Sequence, residues 1–181
     1  MVLLLILLAL VTATAFAVLA MQRRRSSPPV VVTLELRTQL LTSVPDDFAI
    51  STSPEHAWAA VMDTTYSNAS VSLISLSDGS ASLYFSTGGG VIGGQARPTV
   101  NAAAKAFVSQ ATTYLQNFTA TSTFPLPPFG YTRFYARTPE GVFSTEAPEA
   151  ELGAGKHPLS QLFFAAQEVI TQLRLVSEAA R

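Results

Sequence analysis

Cysteine is absent from this 181-residue chain, and histidine is rare, with two copies, His56 and His157. Without cysteine the chain has no disulfide, no thiolate nucleophile, no thiolate metal ligand and no site for cysteine lipidation. Neither histidine has a carboxylate at metal-ligand spacing, and no Gly-x-Ser-x-Gly nucleophile elbow is present. We therefore predict no metal, no cofactor and no enzyme of a familiar type.

Positive charge is scarce after residue 25. From Ser26 onward, eight Lys and Arg residues stand against twelve Asp and Glu residues. Binding to a phosphate backbone relies on clustered cations, as does lying flat on anionic lipid. This composition predicts that the chain does not bind nucleic acid.

The chain opens with a long apolar run. Residues 2–20 contain no charged side chain, and Arg23, Arg24 and Arg25 follow almost directly. A run of about 20 helical residues spans about 30 Å, the thickness of a bilayer's hydrocarbon core. We interpret residues 1–21 as a single-pass transmembrane helix, a signal anchor in a bacterial inner membrane. The arginines place the body on the cytoplasmic side.

A cleaved secretory signal is the alternative interpretation of the same run. Val18-Leu19-Ala20 resembles a small-residue cleavage site, although no basic region precedes the apolar stretch. Cleavage would leave an exported, periplasmic domain.

The rest of the chain divides into two parts. Residues 22–55 are rich in proline and polar residues and are interpreted as a juxtamembrane linker, with a candidate strand at 30–36. Residues 56–181 suffice for one hydrophobic core and are predicted to form a single α+β domain.

Hydrophobic periodicity and turn residues define the elements of that domain. Asp78-Gly79 between two β-rich runs predicts a hairpin. The pattern indicates one antiparallel five-stranded sheet with two helices on one face, in the order β-β-β-α-β-β-α. The predicted strands are 58–66, 70–76, 81–87, 131–138 and 142–146, and the predicted helices are 98–118 and 158–176.

This element order resembles that of the profilin-like and roadblock-like α+β domains. Such domains mostly serve as dimerisation, scaffold or ligand-sensing modules. The resemblance therefore implies a role in interaction rather than in chemistry.

A stripe of alternating aromatic and basic residues marks the strand at 131–138. Tyr131, Arg133, Tyr135 and Arg137 share one face of that strand. Tyr and Arg are enriched at protein interfaces, and guanidinium groups stack on aromatic rings. We predict that these four residues contact a protein partner, the alternative being a solvated sheet face.

A second candidate site is the glycine-rich segment 86–97. Its glycines let backbone N–H groups turn toward a small anion or nucleotide, although the Gly-Lys-Ser/Thr ending of a phosphate-binding loop is absent. Close approach of another backbone and plain flexibility are the alternatives. The ligand-binding candidates are Gly88, Gly89, Gly90, Gly93 and Gly94.

One carboxylate is oddly placed. Asp63 lies in the middle of an otherwise apolar strand. We expect it to be hydrogen-bonded to turn amides or to Arg133, since buried polar groups need partners. A hydrolase of unfamiliar type that uses Asp63 or His157 is the weaker alternative.

These features favour a membrane-anchored accessory or scaffold subunit that binds other subunits of a larger membrane complex. A domain that senses a small anion through the glycine-rich segment is the alternative, and pairing as a homo-oligomer stays open.

The membrane assignment makes a direct prediction. The full chain should stay with the membrane pellet through high-salt and alkaline washes and should enter solution with detergent, because an inserted apolar helix is not held by charge. Intact-mass measurement of the extracted protein should include residues 1–21. A mature chain that begins near residue 21 would contradict the anchor.

Overall fold

The computed structural model of the protein describes residues 29–93 and 95–179. Seven strands in these ranges form one antiparallel sheet: β1 (Ala59–Thr65), β2 (Ser70–Leu76), β3 (Ala81–Phe85), β4 (Gly90–Gly93), β5 (Thr119–Ala120), β6 (Tyr131–Thr138) and β7 (Gly141–Pro148).

Four α-helices accompany the sheet within the same described ranges. They are α1 (Pro29–Thr42), α2 (Pro98–Thr113), α3 (Glu149–Gly153) and α4 (Ser160–Ala179). Two short 3-10 helices lie at Pro45–Phe48 and Leu115–Asn117. None of the helices in the described part of the chain is long and apolar enough to span a membrane. The predicted transmembrane helix, residues 1–21, lies outside that part.

The strands lie in the order β4-β3-β2-β1-β6-β7-β5, so β1 is the middle strand. It pairs with β2 on one side and with β6 on the other. A strand pairs with each edge of β1, and a packed layer lies on each of its faces. Ala59 to Thr64 are therefore all buried. This explains why apolar and polar residues do not alternate along its sequence.

Two apolar layers enclose the sheet. On the first face, α2 and α4 pack through buried residues such as Phe107 and Leu162 against Leu73 and Phe134. On the second face, Leu40 and Leu41 of α1 join a separate cluster centred on Trp58, Val61 and Tyr135. The predicted α+β class with two helices on one face is therefore confirmed, and α1 covers the opposite face in addition.

The sheet is larger than the predicted five strands. β4 lies within the glycine-rich segment, where side chains give no alternating pattern, and β5 is two residues long. Strands of this kind are held by backbone pairing with β3 and β7, which leaves little signal in the sequence. The predicted strands at 70–76 and 131–138 have the observed bounds.

The candidate strand at 30–36 is wrong, because these residues belong to α1. Pro29 is the first residue of that helix, a position where a missing N–H costs nothing. The β-branched residues at 30–33 suggested a strand, but intrinsic preferences amount to fractions of a kcal/mol per residue. Burial of Arg37, Leu40 and Leu41 against the sheet outweighs them.

The predicted Asp78-Gly79 hairpin is present between β2 and β3. The Leu76 N–H donates to the Ser80 carbonyl at 2.9 Å, and Gly79 has φ of +94°. A Cβ at Gly79 would also meet the side chain of Asn101, whose Nδ2 donates to the Asp78 carbonyl at 3.0 Å. The turn therefore requires glycine for its backbone and for the close approach of α2.

Gly79→Ala should destabilise the protein by more than about 1 kcal/mol, since alanine resists positive φ and Asn101 would be displaced. The matched control is Gly153→Ala at the end of α3, where the new Cβ has an ordinary 3.9 Å contact with Phe163. That change should be neutral or slightly stabilising. Thermal melts of the two full-length variants in detergent test this, and equal melting temperatures would contradict it.

Candidate functional site

The most unusual feature of the described chain is a buried ion pair on the second sheet face. Asp63 lies in the middle of β1 and is 0% exposed, and Arg37 of α1 is 2% exposed. Arg37 Nε donates to Asp63 Oδ2 at 2.7 Å, and Nη2 lies 2.5 Å from the same oxygen. The expected partner, Arg133, is opposite Asp63 in the sheet register, but Arg37 makes the direct contact.

Arg37 also holds the segment that precedes β6. Its Nη1 donates to the carbonyl of Phe124 at 2.9 Å, and its guanidinium carbon lies 5.1 Å from the centre of the Tyr135 ring. Tyr135 in turn donates its hydroxyl to the Pro125 carbonyl at 2.6 Å. A single side chain therefore joins α1, the middle strand, β6 and the loop before β6.

Burial raises the pKa of the Asp63 carboxyl, and the attraction of Arg37, followed by smaller contributions from Ser72 and Arg133, opposes that rise. For Arg37, burial by itself lowers the pKa, but Asp63 and Tyr135 outweigh it and leave the pKa raised. Arg37 is thus a charged group fixed in a buried layer. Removing either partner leaves the other uncompensated, which is the costly case for a buried pair.

The predicted Tyr-Arg stripe lies on this same face, and the chain itself covers half of it. Tyr135 and Arg137 are buried. Arg137 donates to the Ser43 carbonyl just after α1, and its guanidinium carbon lies 5.4 Å from the centre of the Trp58 ring. For these two residues the observed contacts are intramolecular.

The other half of the stripe reaches the surface. Tyr131 is exposed, and Arg133 is partly exposed. Arg133 Nη2 lies 2.5 Å from a carboxylate oxygen of Glu146, and its Nη1 donates to the Pro125 carbonyl at 3.0 Å. A partner contact through the stripe remains a prediction for Tyr131 and Arg133.

The glycine-rich segment forms a hairpin rather than a cradle at the start of α2. Gly88 and Gly89 have positive φ in the turn, whereas Gly90 and Gly93 belong to β4. A Cβ at Gly90 would lie 2.5 Å from the Leu83 carbonyl oxygen, so this glycine permits close approach of another backbone. Gly94 lies outside the described residues. Whether the segment binds an anion stays untested.

The two histidines have local roles. His56 Nδ1 lies 2.6 Å from Ser53 Oγ in an exposed turn, and the Leu159 N–H donates to His157 Nδ1 at 3.2 Å. Across residues 29–93 and 95–179 no carboxylate forms an ion pair with either ring. No group of three or more His, Asp or Glu side chains in those ranges is placed to hold a metal ion. A Ser–His contact without an orienting acid lacks an essential part of a nucleophilic triad.

An apolar groove lies beside α1 on the second face. It has a volume of about 200 Å³ and is bounded by α1, by the 3-10 helix at Pro45–Phe48 and by strands β2 and β3. Leu36 and Phe48 expose part of their apolar surface into it, and Gln39 and Ser82 supply polar atoms. Its shape and lining fit an apolar side chain with a few hydrogen-bonding groups around it.

Comparison with family models, with curated proteins and with solved structures finds no match to this chain. A functional proposal therefore depends on the residues and the geometry described above.

Sequence reasoning missed Arg37, although one signal pointed to a residue of its kind. Asp63 in an apolar strand required a cation or several donors, and Arg133 was the nearest candidate by strand alternation. Arg37 was assigned to a linker, so its packing on the sheet was not considered.

Arg37→Met should cost about 3–5 kcal/mol of stability, because it leaves a carboxylate buried without its partner. Replacing both residues, as Arg37→Met with Asp63→Leu, should recover most of that loss. Arg174→Met is the control, since its 3.8 Å pair with Glu178 is exposed and should matter little. Chemical denaturation of the full-length variants in detergent measures the three effects. A loss for Arg37→Met as small as that for Arg174→Met would contradict the assignment.

Proposed function

We propose that this protein is a membrane-anchored accessory subunit whose α+β domain binds another protein of the same membrane assembly. The observation that carries the proposal is the buried Arg37–Asp63 pair. It fixes α1 to the middle of the sheet, and α1 begins shortly after the apolar segment that we assign to the membrane. α1, the first described element after that segment, is thereby held in one orientation relative to the sheet.

A fixed α1 is useful to a scaffold. An element that moves freely on its own domain must lose that freedom when it binds, which weakens the complex. Within the described domain, the contacts of Arg37 with Asp63, Phe124 and Tyr135 remove that freedom from α1 in advance. The groove beside α1 would therefore present one shape to a partner.

The apolar groove is the surface that we assign to the partner. It lies against α1, the first described helix after the segment that we assign to the membrane, and we assign it to a helix of a neighbouring subunit. Leu36, with 39% of its surface exposed, stands at its edge and would contact an apolar side chain of that helix. Removing the exposed apolar surface of Leu36 from water in such a contact would favour binding.

A small-anion sensor has less support. Gly90 and Gly93 are parts of a paired strand, and the hairpin from Ser86 to Gly93 has no cationic side chain. Anion sites built from backbone alone use N–H groups that converge, as at the first turn of a helix.

Leu36→Glu in the full-length chain should release the partner subunit. A carboxylate in the groove would either lose its hydration on binding, which is costly, or exclude the partner's apolar side chain. Leu175→Glu on α4 is the matched control, because Leu175 is 52% exposed on a different surface. Each variant is purified from native membranes in mild detergent, and quantitative mass spectrometry compares co-purifying membrane proteins with those of the unaltered chain.

We expect at least a tenfold loss of one or more specific subunits with Leu36→Glu and retention of the same subunits with Leu175→Glu. Equal retention in both variants would overturn the groove as the partner site. Absence of any co-purifying membrane protein with the unaltered chain would overturn the accessory role itself.

A further inference from the structure

The free edge of β4 differs from the other edge strand of the sheet. β5, at the opposite edge, is two residues long and leads into the proline-containing segment before β6. β4 is four residues long, and from Gly79 to Ala96 the sequence has no charged residue and no proline. Proteins usually protect an edge strand with charge, proline or short length, because its unpaired backbone attracts other strands. Charge and proline are both missing from β4.

The hydrogen-bond pattern shows which groups of β4 point outward. The Phe85 N–H donates to the Gly89 carbonyl at 3.2 Å at the start of the β3–β4 hairpin. In an antiparallel pair, hydrogen-bonded positions alternate with non-bonded positions, so Val91 bonds toward Leu83. The N–H and C=O groups of Gly90 and Ile92 therefore point away from the sheet, where a further strand would pair.

The side chain of Ile92 adds an apolar contact at the same place. It is 76% exposed, the largest exposure among the large hydrophobic residues of the described chain. It lies on the second sheet face, beside Ser82 in the register. A free backbone edge and an exposed apolar side chain thus coincide at one residue.

We infer that β4 is the surface through which two copies of this chain pair, edge to edge and antiparallel, with Ile92 opposite Ile92 of the second copy. Paired residues in such a ladder point to the same face, so a register centred on Ile92 also sets Val91 opposite Gly93. The uncharged edge meets itself without repulsion, and apolar residues directly opposite each other stabilise a sheet. The joined sheet would have the two β4 strands at its centre.

The symmetry of this pairing agrees with anchoring in one membrane, and in this respect the inference rests on the proposed function. The two-fold axis is perpendicular to the sheet, so both α1 helices lie on the same face of the joined sheet. The described part of each copy then begins with α1 on that face. Confinement to one membrane also raises the effective concentration of the copies, so that a short interface can suffice for pairing.

The absence of cysteine from the natural chain allows a clean cross-linking test. Ile92→Cys is introduced into the full-length chain, two differently tagged copies are co-expressed, and membranes are oxidised mildly. Directly opposite residues of a hydrogen-bonded pair have Cα atoms about 5.5 Å apart, within the range that a disulfide spans. The control is Ser109→Cys, which is exposed on α2 near His56.

We expect Ile92→Cys to give a covalent dimer that contains both tags, at least tenfold more than Ser109→Cys gives. A second experiment tests the register: chains with Val91→Cys and chains with Gly93→Cys should cross-link to each other more than either does to itself. A Cβ at Gly93 meets no atom within 4 Å, so the substitution is tolerated. Reduced samples should retain the native melting temperature.

A homodimer yield for Ile92→Cys equal to that for Ser109→Cys would overturn the inference. So would cross-linking of Ile92→Cys to a different protein in place of its own copy. These outcomes are independent of the Leu36→Glu experiment, so failure of the edge pairing and failure of the accessory role are told apart.

Discussion

The buried contact between Arg37 and Asp63 is the constraint on which the arrangement of the second sheet face depends. Without a cation, burying an ionised carboxylate in the middle strand would be too costly in a layer as fully buried as this one. With Arg37 in place, α1 must lie across the sheet at one position and in one rotation. The loop that holds Phe124 and Pro125 must lie beside it. The pair thus specifies a geometry more than it adds net stability, as buried ion pairs can do.

The same ion pair fixes α1 over part of the Tyr-Arg stripe. Alternating Tyr and Arg on a strand suggests an interface, and half of that interface is formed with residues of the same chain. Tyr135 and Arg137 meet α1, Ser43 and Trp58 in the way that interface residues meet a partner. Tyr135 and Arg137 are buried because α1 covers this face of the sheet, and contact of Tyr131 and Arg133 with a partner stays a prediction.

Strong periodicity explains what the sequence predicted well. The strands at 70–76 and 131–138 have alternating or β-rich patterns between clear turn residues, and the two long helices have apolar stripes that match their packing. The sequence does not predict α1, because this helix has no apolar stripe of its own and is stabilised by its packing on the sheet. It does not predict β4, because glycine has no side chain and therefore gives no alternating pattern. In both cases contacts with residues far away in the sequence determine the structure, and local sequence patterns do not reveal those contacts.

The distance along the chain between Arg37 and its contacts has a consequence for biosynthesis. Arg37 bonds to residue 63 and to Phe124, 87 positions later, and α1 also packs on Tyr135. During translation α1 is made long before Phe124 and Tyr135, because chains grow at about 5–20 residues per second. We expect α1 to lack these two contacts for several seconds. If residues 1–21 insert into a membrane as we propose, that interval leaves them time to do so before the domain finishes folding.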